Sequence, residues 1–216
     1  MRKLPLKINK LYTLFLKHFY YPILLKLNKN LKYCNSLKGH LYFNEGISLF
    51  RLAQKLPRKS IIVEIGSYLG KATCFLAEGI KNRDIILYTI DTFENQGMTE
   101  GLRDTYNEFK QNTLRYRNCI VVKRGFSHEI VKDFKNMKID LLWIDACHEY
   151  NAVKKDIEDW VPLVKEGGLI CFHDYYINGP NDRVKKAVNE AISKNQIRKI
   201  IMVGHRMIIT RKQNIS

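Results

Sequence analysis

The sequence predicts an α/β fold: one doubly wound sheet of about seven strands, parallel except for a C-terminal antiparallel hairpin, with helices on both faces. Three observations lead to this prediction. Short apolar runs, of the length typical of buried parallel strands, alternate with segments of helical character. Two further apolar runs, 199–203 and 207–211, flank Gly204-His205 as the strands of a hairpin do. The 216 residues contain no internal repeat or low-complexity tract, so they suit a single domain with an attached segment.

The individual elements follow from apolar spacing and from glycine and proline breaks. Apolar positions at helical spacing predict a helix over 44–56, which the Pro-Arg-Lys-Ser run at 57–60 ends. Further helices are predicted over residues 71–78, 99–116, 129–134, 150–164 and 181–194, and parallel strands over residues 61–64, 85–90, 119–123, 139–144 and 169–172. Ser127 is expected to cap the helix over 129–134, and Gly167-Gly168 to end the helix over 150–164.

The stretch from Ile61 to Gly70 has the pattern of a buried strand, a tight turn and the start of a helix. Gly66 and Gly70 would allow a sharp turn and a close approach of a ligand, because glycine has no Cβ. This pattern predicts the first βα unit of a Rossmann-like sheet. The same junction also occurs for packing reasons alone, so by itself it does not assign a ligand.

Charge divides the chain into two regions. The net charge is +16, and residues 1–40 hold nine Lys/Arg and no acidic residue. We therefore predict a basic amphipathic segment over residues 1–40 and a catalytic domain over residues 41–216. The five cysteines form no Cys-x-x-Cys pair, which favours reduced thiols in a cytoplasmic protein over a disulfide framework.

Residues 1–33 of the basic segment mix lysines with aliphatic and aromatic residues. Lysines interrupt every apolar run, so no stretch reaches the ~20 residues of a membrane span. Two interpretations stay open. The segment packs on its own domain or on a second subunit of a homo-oligomer, or it lies as an interfacial helix on the inner face of the membrane.

Polar or glycine residues stand at the carboxyl end of every predicted parallel strand. Open α/β sheets bind ligands at this edge, so these residues are expected to surround one crevice. They are Glu64, Asp91, Gly125-Phe126-Ser127, Asp145 and His173-Asp174.

The spacing around the glycine turn favours an adenosyl cofactor with a cationic part. Asp91 lies 21 residues past Gly70, where an acidic residue can accept hydrogen bonds from a ribose diol. The glycine pattern is not Gly-x-Gly-x-x-Gly, and Glu64 would repel a pyrophosphate. A sulfonium compound with an amino acid tail suits Glu64 better, and S-adenosylmethionine is such a compound.

Four motifs resemble the class I S-adenosylmethionine-dependent methyltransferases. Within that group they are most similar to small-molecule O-methyltransferases related to the macrocin type and to cephalosporin-hydroxylase-like proteins. The similarity covers residues 44–211. The motifs are Val-Glu-Ile-Gly-Ser-Tyr-Leu-Gly (63–70), Tyr-Thr-Ile-Asp-Thr-Phe (88–93), Asp-Leu-Leu-Trp-Ile-Asp-Ala-Cys-His-Glu-Tyr (140–150) and Gly-Gly-Leu-Ile-Cys-Phe-His-Asp-Tyr (167–175).

The resemblance implies a role for each strand-end residue. The loop after the first strand would cradle the methionine part, Asp91 would hold the ribose, and the region of Phe126 and Ser127 would lie near adenine. The implied cofactor-binding residues are Glu64, Gly66, Ser67, Gly70, Asp91, Thr92, Phe93, Phe126, Ser127 and Asp145.

The resemblance also implies a divalent metal, Mg²⁺, held by Asp145 and Asp174 with His173 beside them, and His148 as the base that acts with Asp145 in catalysis. Two features depart from the family pattern. His173 stands where the best-known metal-dependent members have an acid, and Ala146-Cys147 replaces a more usual Gly-Asp. Methyl transfer to an alcohol needs alignment and deprotonation of the acceptor, and a metal and a histidine supply both.

The sequence therefore predicts an S-adenosylmethionine-dependent O-methyltransferase acting on a small polar acceptor, with a sugar or glycan hydroxyl as the first expectation. Two alternatives remain. An RNA methyltransferase would account for the charge, but the chain lacks the Asn/Asp-Pro-Pro-Tyr element of base-methylating enzymes, and a nucleic-acid partner is not expected. A binding protein that keeps the fold without activity is the second alternative.

Overall fold

A computed structural model describes residues 20–95, 101–176 and 182–213. The chain divides into two units, residues 1–36 and 37–216. In the first unit, α1 spans Tyr21–Leu27 and α2 spans Lys29–Ser36. Asn28 Oδ1 accepts hydrogen bonds from the N–H groups of Asn30 and Leu31 and thereby caps α2. Most of the predicted interfacial segment lies outside the described residues, and within the described part no helix is long and apolar enough to cross a membrane.

The second unit contains a seven-stranded sheet in the order β3-β2-β1-β4-β5-β7-β6. The strands are β1 Ile61–Ile65, β2 Ile86–Asp91, β3 Ile120–Arg124, β4 Ile139–Ile144, β5 Val164–Phe172, β6 Ile197–Val203 and β7 Met207–Lys212. The first five pair in parallel, whereas β7 runs antiparallel to both β5 and β6. The predicted fold class is confirmed.

Six α-helices of the described residues accompany the sheet: α3 Phe43–Lys55, α4 Lys71–Ile80, α5 Tyr106–Thr113, α6 Ser127–Ile130, α7 Tyr150–Trp160 and α8 Arg183–Ser193. Helices α7 and α8 share one buried hydrophobic cluster with alternate residues of β1, β4 and β5. On the other face of the sheet, Thr73 of α4 donates a hydrogen bond to Glu64 of β1. This two-sided cover follows from the alternation of side chains along each strand.

The strand order places the crevice. From β1 the chain moves outward through β2 and β3, and then it returns to the other side of β1 to form β4 and β5. The direction in which successive strands are added to the sheet therefore reverses between β1 and β4. The loops that follow these two strands lead away from each other, and a crevice opens between them. Such a switch point is where open α/β sheets bind ligands.

Three predicted element details are wrong. The helix predicted over 99–116 begins at Tyr106, and residues 101–105 before it are not helical. Ser127 is the first residue of α6 and does not cap it, because its hydroxyl donates instead to Asp156 of α7. Gly167 and Gly168 lie inside β5 and do not end a helix, since α7 ends at Trp160 and a 3₁₀ turn, Val161–Leu163, follows.

Candidate active site

The turn after β1 is built around Gly66. This residue has φ +86°, and its N–H donates to the carbonyl of Ile90 at 2.9 Å. A Cβ at this position would lie 2.2 Å from the carbonyl oxygen of Asp145. The glycine therefore lets the turn lie directly against the end of β4, where no side chain fits. Gly70, with φ +86°, precedes the first residue of α4.

Asp91 fixes this turn from the end of β2. Its Oδ2 accepts the backbone N–H groups of Ser67 at 2.7 Å and Tyr68 at 2.8 Å, and its Oδ1 accepts that of Phe93 at 2.7 Å. Tyr68 and Phe93 adopt positive φ angles, 47° and 60°, which are strained for residues with a Cβ. Asp91 therefore holds two strained segments in place, in addition to the ribose contact that the sequence predicts for it.

Glu64 is fully buried beside the turn. Its Oε2 accepts hydrogen bonds from Thr73 at 2.6 Å and Ser67 at 3.0 Å, while its Oε1 has no hydrogen-bond partner among the described residues. Burial raises the pKa of Glu64 to about 8, against the lowering effect of the two hydroxyl groups. A cationic ligand nearby would favour the charged form.

The raised pKa of Glu64 makes stability depend on pH. Between pH 4.5 and about 8 the folded chain keeps a proton that the unfolded chain has released, so folding stability falls as pH rises through this window. In urea titrations between pH 5 and 8, we expect Glu64→Gln to flatten this fall by up to about 1.4 kcal/mol per pH unit, the limit for one proton. Glu158→Gln, on the exposed side of α7, is the matched control. Equal pH slopes for the wild-type chain and Glu64→Gln would contradict the buried protonated state.

A cavity of about 420 Å³ opens at the switch point. Six of the ten predicted cofactor-binding residues line it: Gly66, Asp91, Thr92, Phe126, Ser127 and Asp145. The other four do not line the cavity. Glu64 and Ser67 are buried and hydrogen-bonded to each other, Gly70 precedes α4, and Phe93 is buried against Tyr106 and Phe109.

A cluster of acidic and histidine side chains adjoins the cavity at Asp145. His148 Nε2 lies 3.1 Å from Asp174 Oδ2 and 3.7 Å from Asp145 Oδ1. His173 Nδ1 lies 3.1 Å from the same Asp145 oxygen and 3.5 Å from Asp174 Oδ2. The structure thus brings together the four residues that the sequence predicts for catalysis and metal binding. His148 is half exposed, whereas His173 and Asp174 are almost fully buried.

Two residues that the sequence did not single out complete this cluster. The buried Glu45 of α3 has its Oε2 3.1 Å from His173 Nε2, and Arg206 Nε lies 2.5 Å from Asp174 Oδ1. Glu45 lies in a helix before the first strand, and Arg206 lies in the turn between β6 and β7. Neither stands at the end of a parallel strand, so strand-end spacing gave no signal for them.

Mutual interactions set the protonation of the cluster. Burial opposes ionisation of Asp145, but the charge of His173 and hydrogen bonds with His148 and His173 lower its pKa to about 2. Burial likewise opposes protonation of His173. The negative charge of Asp145, together with the hydrogen bonds that the His173 ring donates to Asp145, Asp174 and Glu45, outweighs this effect and raises the pKa of His173. The hydrogen bond with Asp145, against burial, raises the pKa of His148. The cluster therefore holds ionised carboxylates beside histidines that bind protons tightly.

Three members of the cluster fit a divalent cation. Asp145, His148 and Asp174 each offer one ligand atom, and these atoms lie within 4.8 Å of one another. Two carboxylate oxygens and one imidazole nitrogen form a mixed donor set that suits Mn²⁺ or Fe²⁺ as well as Mg²⁺. His173 is outside this group of three, and its two ring nitrogens face Glu45 and Asp145.

Curated proteins resemble this chain in sequence. "Uncharacterized protein R132" of Acanthamoeba polyphaga mimivirus is 29% identical over 165 residues, 73% of this chain and 69% of that protein. "Uncharacterized protein y4gI" of Sinorhizobium fredii is 26% identical over 123 residues, 55% of this chain. The chain spans only 13% of the length of the second relative.

Solved structures share the fold at low sequence identity. Cofactor-bound Rv0187 from MTB has a TM-score of 0.66 at 14% identity, with 99% of this chain and 100% of that chain covered. The O-methyltransferase from Bacillus cereus in complex with S-adenosylhomocysteine has a TM-score of 0.63 at 16% identity, covering 86% and 91%. CalS11, a TDP-rhamnose 3'-O-methyltransferase, has a TM-score of 0.55 at 16% identity, covering 77% and 76%.

A family match covers the part of the chain that holds the cavity and the cluster. Residues 63–175 match the methyltransferase domain family, and they run from the middle of β1 through β5 and include the glycine turn and Asp174. This span is more than half of the 216 residues. The chain therefore belongs to the methyltransferase domain family, and the predicted enzyme class, an S-adenosylmethionine-dependent methyltransferase, is confirmed.

Proposed function

We propose that this enzyme transfers a methyl group from S-adenosylmethionine to a hydroxyl group of a small polar acceptor. One observation carries the proposal: Asp145 both lines the 420 Å³ cavity and belongs to the cluster with His148, His173 and Asp174. A methyl donor bound in the cavity and an acceptor bound at the cluster would therefore lie next to each other at Asp145. Methyl transfer requires this arrangement, because the acceptor oxygen must be aligned with the methyl carbon that it attacks.

The cofactor would lie along the carboxyl ends of the strands, in their spatial order. The amino acid part would lie over the Gly66 turn and Asp145, near the negative charge that a cation favours. Asp91 and Thr92 would face the ribose, and Phe126 and Ser127 would face the adenine. Glu64, Ser67, Gly70 and Phe93 would act from behind this surface, through the hydrogen bonds and packing that fix the turn.

His148 is the base in this proposal. It is the most exposed member of the cluster, and Asp145 and Asp174 orient its ring. Its Nε2 would accept the proton of the acceptor hydroxyl as the oxygen attacks the methyl carbon. Because its pKa is raised, His148 releases its own proton only on the alkaline side of its ordinary value.

We also propose that the cluster uses a divalent metal, with the carboxylates of Asp145 and Asp174 as the groups that would hold it and with His148 kept free as the base. A bound Mg²⁺ or Mn²⁺ would lower the pKa of an acceptor hydroxyl and orient it. His173 would then orient Asp145 and Asp174, since it lies within 3.5 Å of both carboxylates and is itself supported by Glu45.

Removal of divalent metals tests the metal proposal. We expect dialysis against a chelator to lower methyl transfer by about tenfold or more, and Mg²⁺ or Mn²⁺ to restore it. Binding of S-adenosylhomocysteine, measured by calorimetry on the same sample, should change little and serves as the control. Full activity after complete chelation would show that the cluster works without a metal.

The acceptor in this proposal is a sugar or glycan hydroxyl. The motif resemblance favours the macrocin-type and cephalosporin-hydroxylase-like subgroup, and the fold similarity to CalS11 supports a sugar hydroxyl. A screen with labelled S-adenosylmethionine against nucleotide sugars and glycan precursors tests this choice. Label transfer to RNA instead would favour the alternative nucleic-acid function, and absence of S-adenosylmethionine binding would favour a binding protein without activity.

Residues 1–40 supply a separate proposal. Their nine basic residues and interspersed aromatic side chains suit an anionic surface, which would place a cytoplasmic enzyme at the inner face of the membrane and favour lipid-linked acceptors. Flotation of the full chain with anionic vesicles, but not with neutral vesicles, is the expected result. If the chain floats with neither and sediments as a homo-oligomer, the segment serves protein contacts instead.

A further inference from the structure

Arg206 lies against the acidic and histidine cluster but has no role in the proposed chemistry. It stands in the turn between β6 and β7, outside the residues 63–175 that match the family. Its Nε lies 2.5 Å from Asp174 Oδ1, and its side chain is 28% exposed. The N–H of Tyr175 donates to the carbonyl of Arg206 at 2.8 Å, which ties the turn to the loop after β5. This backbone contact holds a positive charge next to Asp174.

The two oxygens of the Asp174 carboxylate have different surroundings. Oδ2 lies 3.1 Å from His148 Nε2 and 3.5 Å from His173 Nδ1. Oδ1 is close to Arg206, yet among the described residues it accepts no aligned hydrogen bond. The side chain of Asp174 is only 3% exposed, so water reaches it poorly. A buried carboxylate oxygen without a hydrogen bond gains from a further ligand, and a divalent cation is one that would satisfy it.

The charge of Arg206 opposes such a cation. A guanidinium keeps its proton at every pH at which the protein is folded, so this charge is permanent. A metal ion on Asp174 would share one carboxylate with it. At a separation of about 5 Å, the repulsion between a unit charge and a divalent ion changes an affinity by about tenfold or more, even at the dielectric constant of bulk water. The pairing of Arg206 with Asp174 and the binding of a metal therefore compete.

We propose that Arg206 sets the affinity of the cluster for divalent metal. It neutralises Asp174 when no metal is bound and repels a metal that binds there, so the free enzyme holds the metal weakly. This role rests on the proposed use of Asp145 and Asp174 as metal ligands. It extends that proposal by giving control of the metal to a residue of the C-terminal hairpin.

Titration of the full chain with Mn²⁺ in the presence of S-adenosylhomocysteine tests the role of Arg206, with free Mn²⁺ followed by electron paramagnetic resonance. We expect Arg206→Gln to bind Mn²⁺ about tenfold or more tightly than the wild-type chain. Arg206→Lys keeps the charge and should stay within about threefold of the wild-type affinity. Arg198→Gln removes the same charge at an exposed position near the start of β6, and it should also keep the wild-type affinity.

A purely structural role for Arg206 predicts the opposite sign. If the arginine only held Asp174 in place, Arg206→Gln would let the carboxylate move and would weaken Mn²⁺ binding. Weaker or unchanged binding would therefore overturn the proposal. Asp145→Asn added to Arg206→Gln should remove the gain, and a gain that persisted would place the Mn²⁺ elsewhere and overturn it as well. Arg206→Met, which keeps most of the aliphatic stem, replaces Arg206→Gln if that variant does not fold.

Two further outcomes separate the role of Arg206 from the proposed methyl transfer. Absence of Mn²⁺ binding to both the wild-type chain and Arg206→Gln would overturn the role of Arg206 together with the metal site. If S-adenosylhomocysteine still bound, methyl transfer without a metal would remain. Absence of S-adenosylhomocysteine binding, with the expected gain in Mn²⁺ affinity, would instead overturn the proposed methyl transfer and leave the role of Arg206 intact.

Discussion

Replacement of Asp145 by asparagine is expected to reduce methyl transfer by about 10²- to 10⁴-fold, the usual contribution of a positioned acid–base group. The substitution keeps the shape of the side chain but removes the charge that lies 3.1 Å from His173 Nδ1 and 3.7 Å from His148 Nε2. It also weakens the group that could hold a divalent cation. Affinity for S-adenosylhomocysteine should change by less than about tenfold, because the Gly66 turn and Asp91 remain intact.

Turnover at saturating cofactor measures the effect of the substitution on methyl transfer, and calorimetry measures its effect on cofactor affinity. Asp133→Asn is the matched control, since Asp133 is 56% exposed and pairs with Lys123 outside the cavity. Thermal melting should show that both variants are folded. If Asp145→Asn lost cofactor affinity but turned over normally at saturation, Asp145 would be a binding residue only, and the role given to the cluster would be wrong.

Gly66→Ala has the largest expected effect on folding. The added Cβ would lie 2.2 Å from the carbonyl oxygen of Asp145 and 2.7 Å from the Cα of Ala146, so the turn or the end of β4 must move. A φ of +86° adds strain that any side chain experiences there. Together these effects should cost about 4 kcal/mol or more. The remaining folded protein should bind S-adenosylhomocysteine much more weakly, because the moved turn lines the cavity.

Gly101→Ala isolates the backbone contribution. Gly101 has a similar φ of +81°, yet a Cβ there meets no atom within 4 Å. This variant should lose about 1–2 kcal/mol, which corresponds to a fall in melting temperature of a few degrees. The difference between the two variants in free energy of unfolding gives the steric cost of a Cβ between the turn after β1 and the end of β4. Equal destabilisation by the two substitutions would contradict that approach.

The sequence predicted the sheet because the relevant signals are local. Each parallel strand is an apolar run, and a polar residue or a glycine follows it. A short stretch of sequence is therefore enough to predict both where a strand lies and where the crevice opens. Asp145, His148, His173 and Asp174 were found in this way, and the structure brings them within a few ångströms of one another. The family match covers the same stretch, residues 63–175.

The sequence does not predict the contacts of Glu45 and Ser127, because these contacts join segments that lie far apart in the chain. Glu45 reaches His173 across 128 positions of the chain, and nothing in the helix sequence marks it as part of a site. The link from Ser127 to Asp156 joins residues 29 positions apart, and it overrides the capping role that local spacing predicts for the serine. Local pattern cannot supply such pairings, because they follow from how helices pack over the sheet.

A crystal structure of the complex with S-adenosylhomocysteine tests the central claim most directly. We predict that the ligand occupies the cavity with its sulfur beside Asp145 and within reach of an acceptor on His148, its ribose on Asp91 and its adenine on Ser127. A ligand bound outside this cavity, or bound in the reverse direction with adenine at Asp145, would contradict the account.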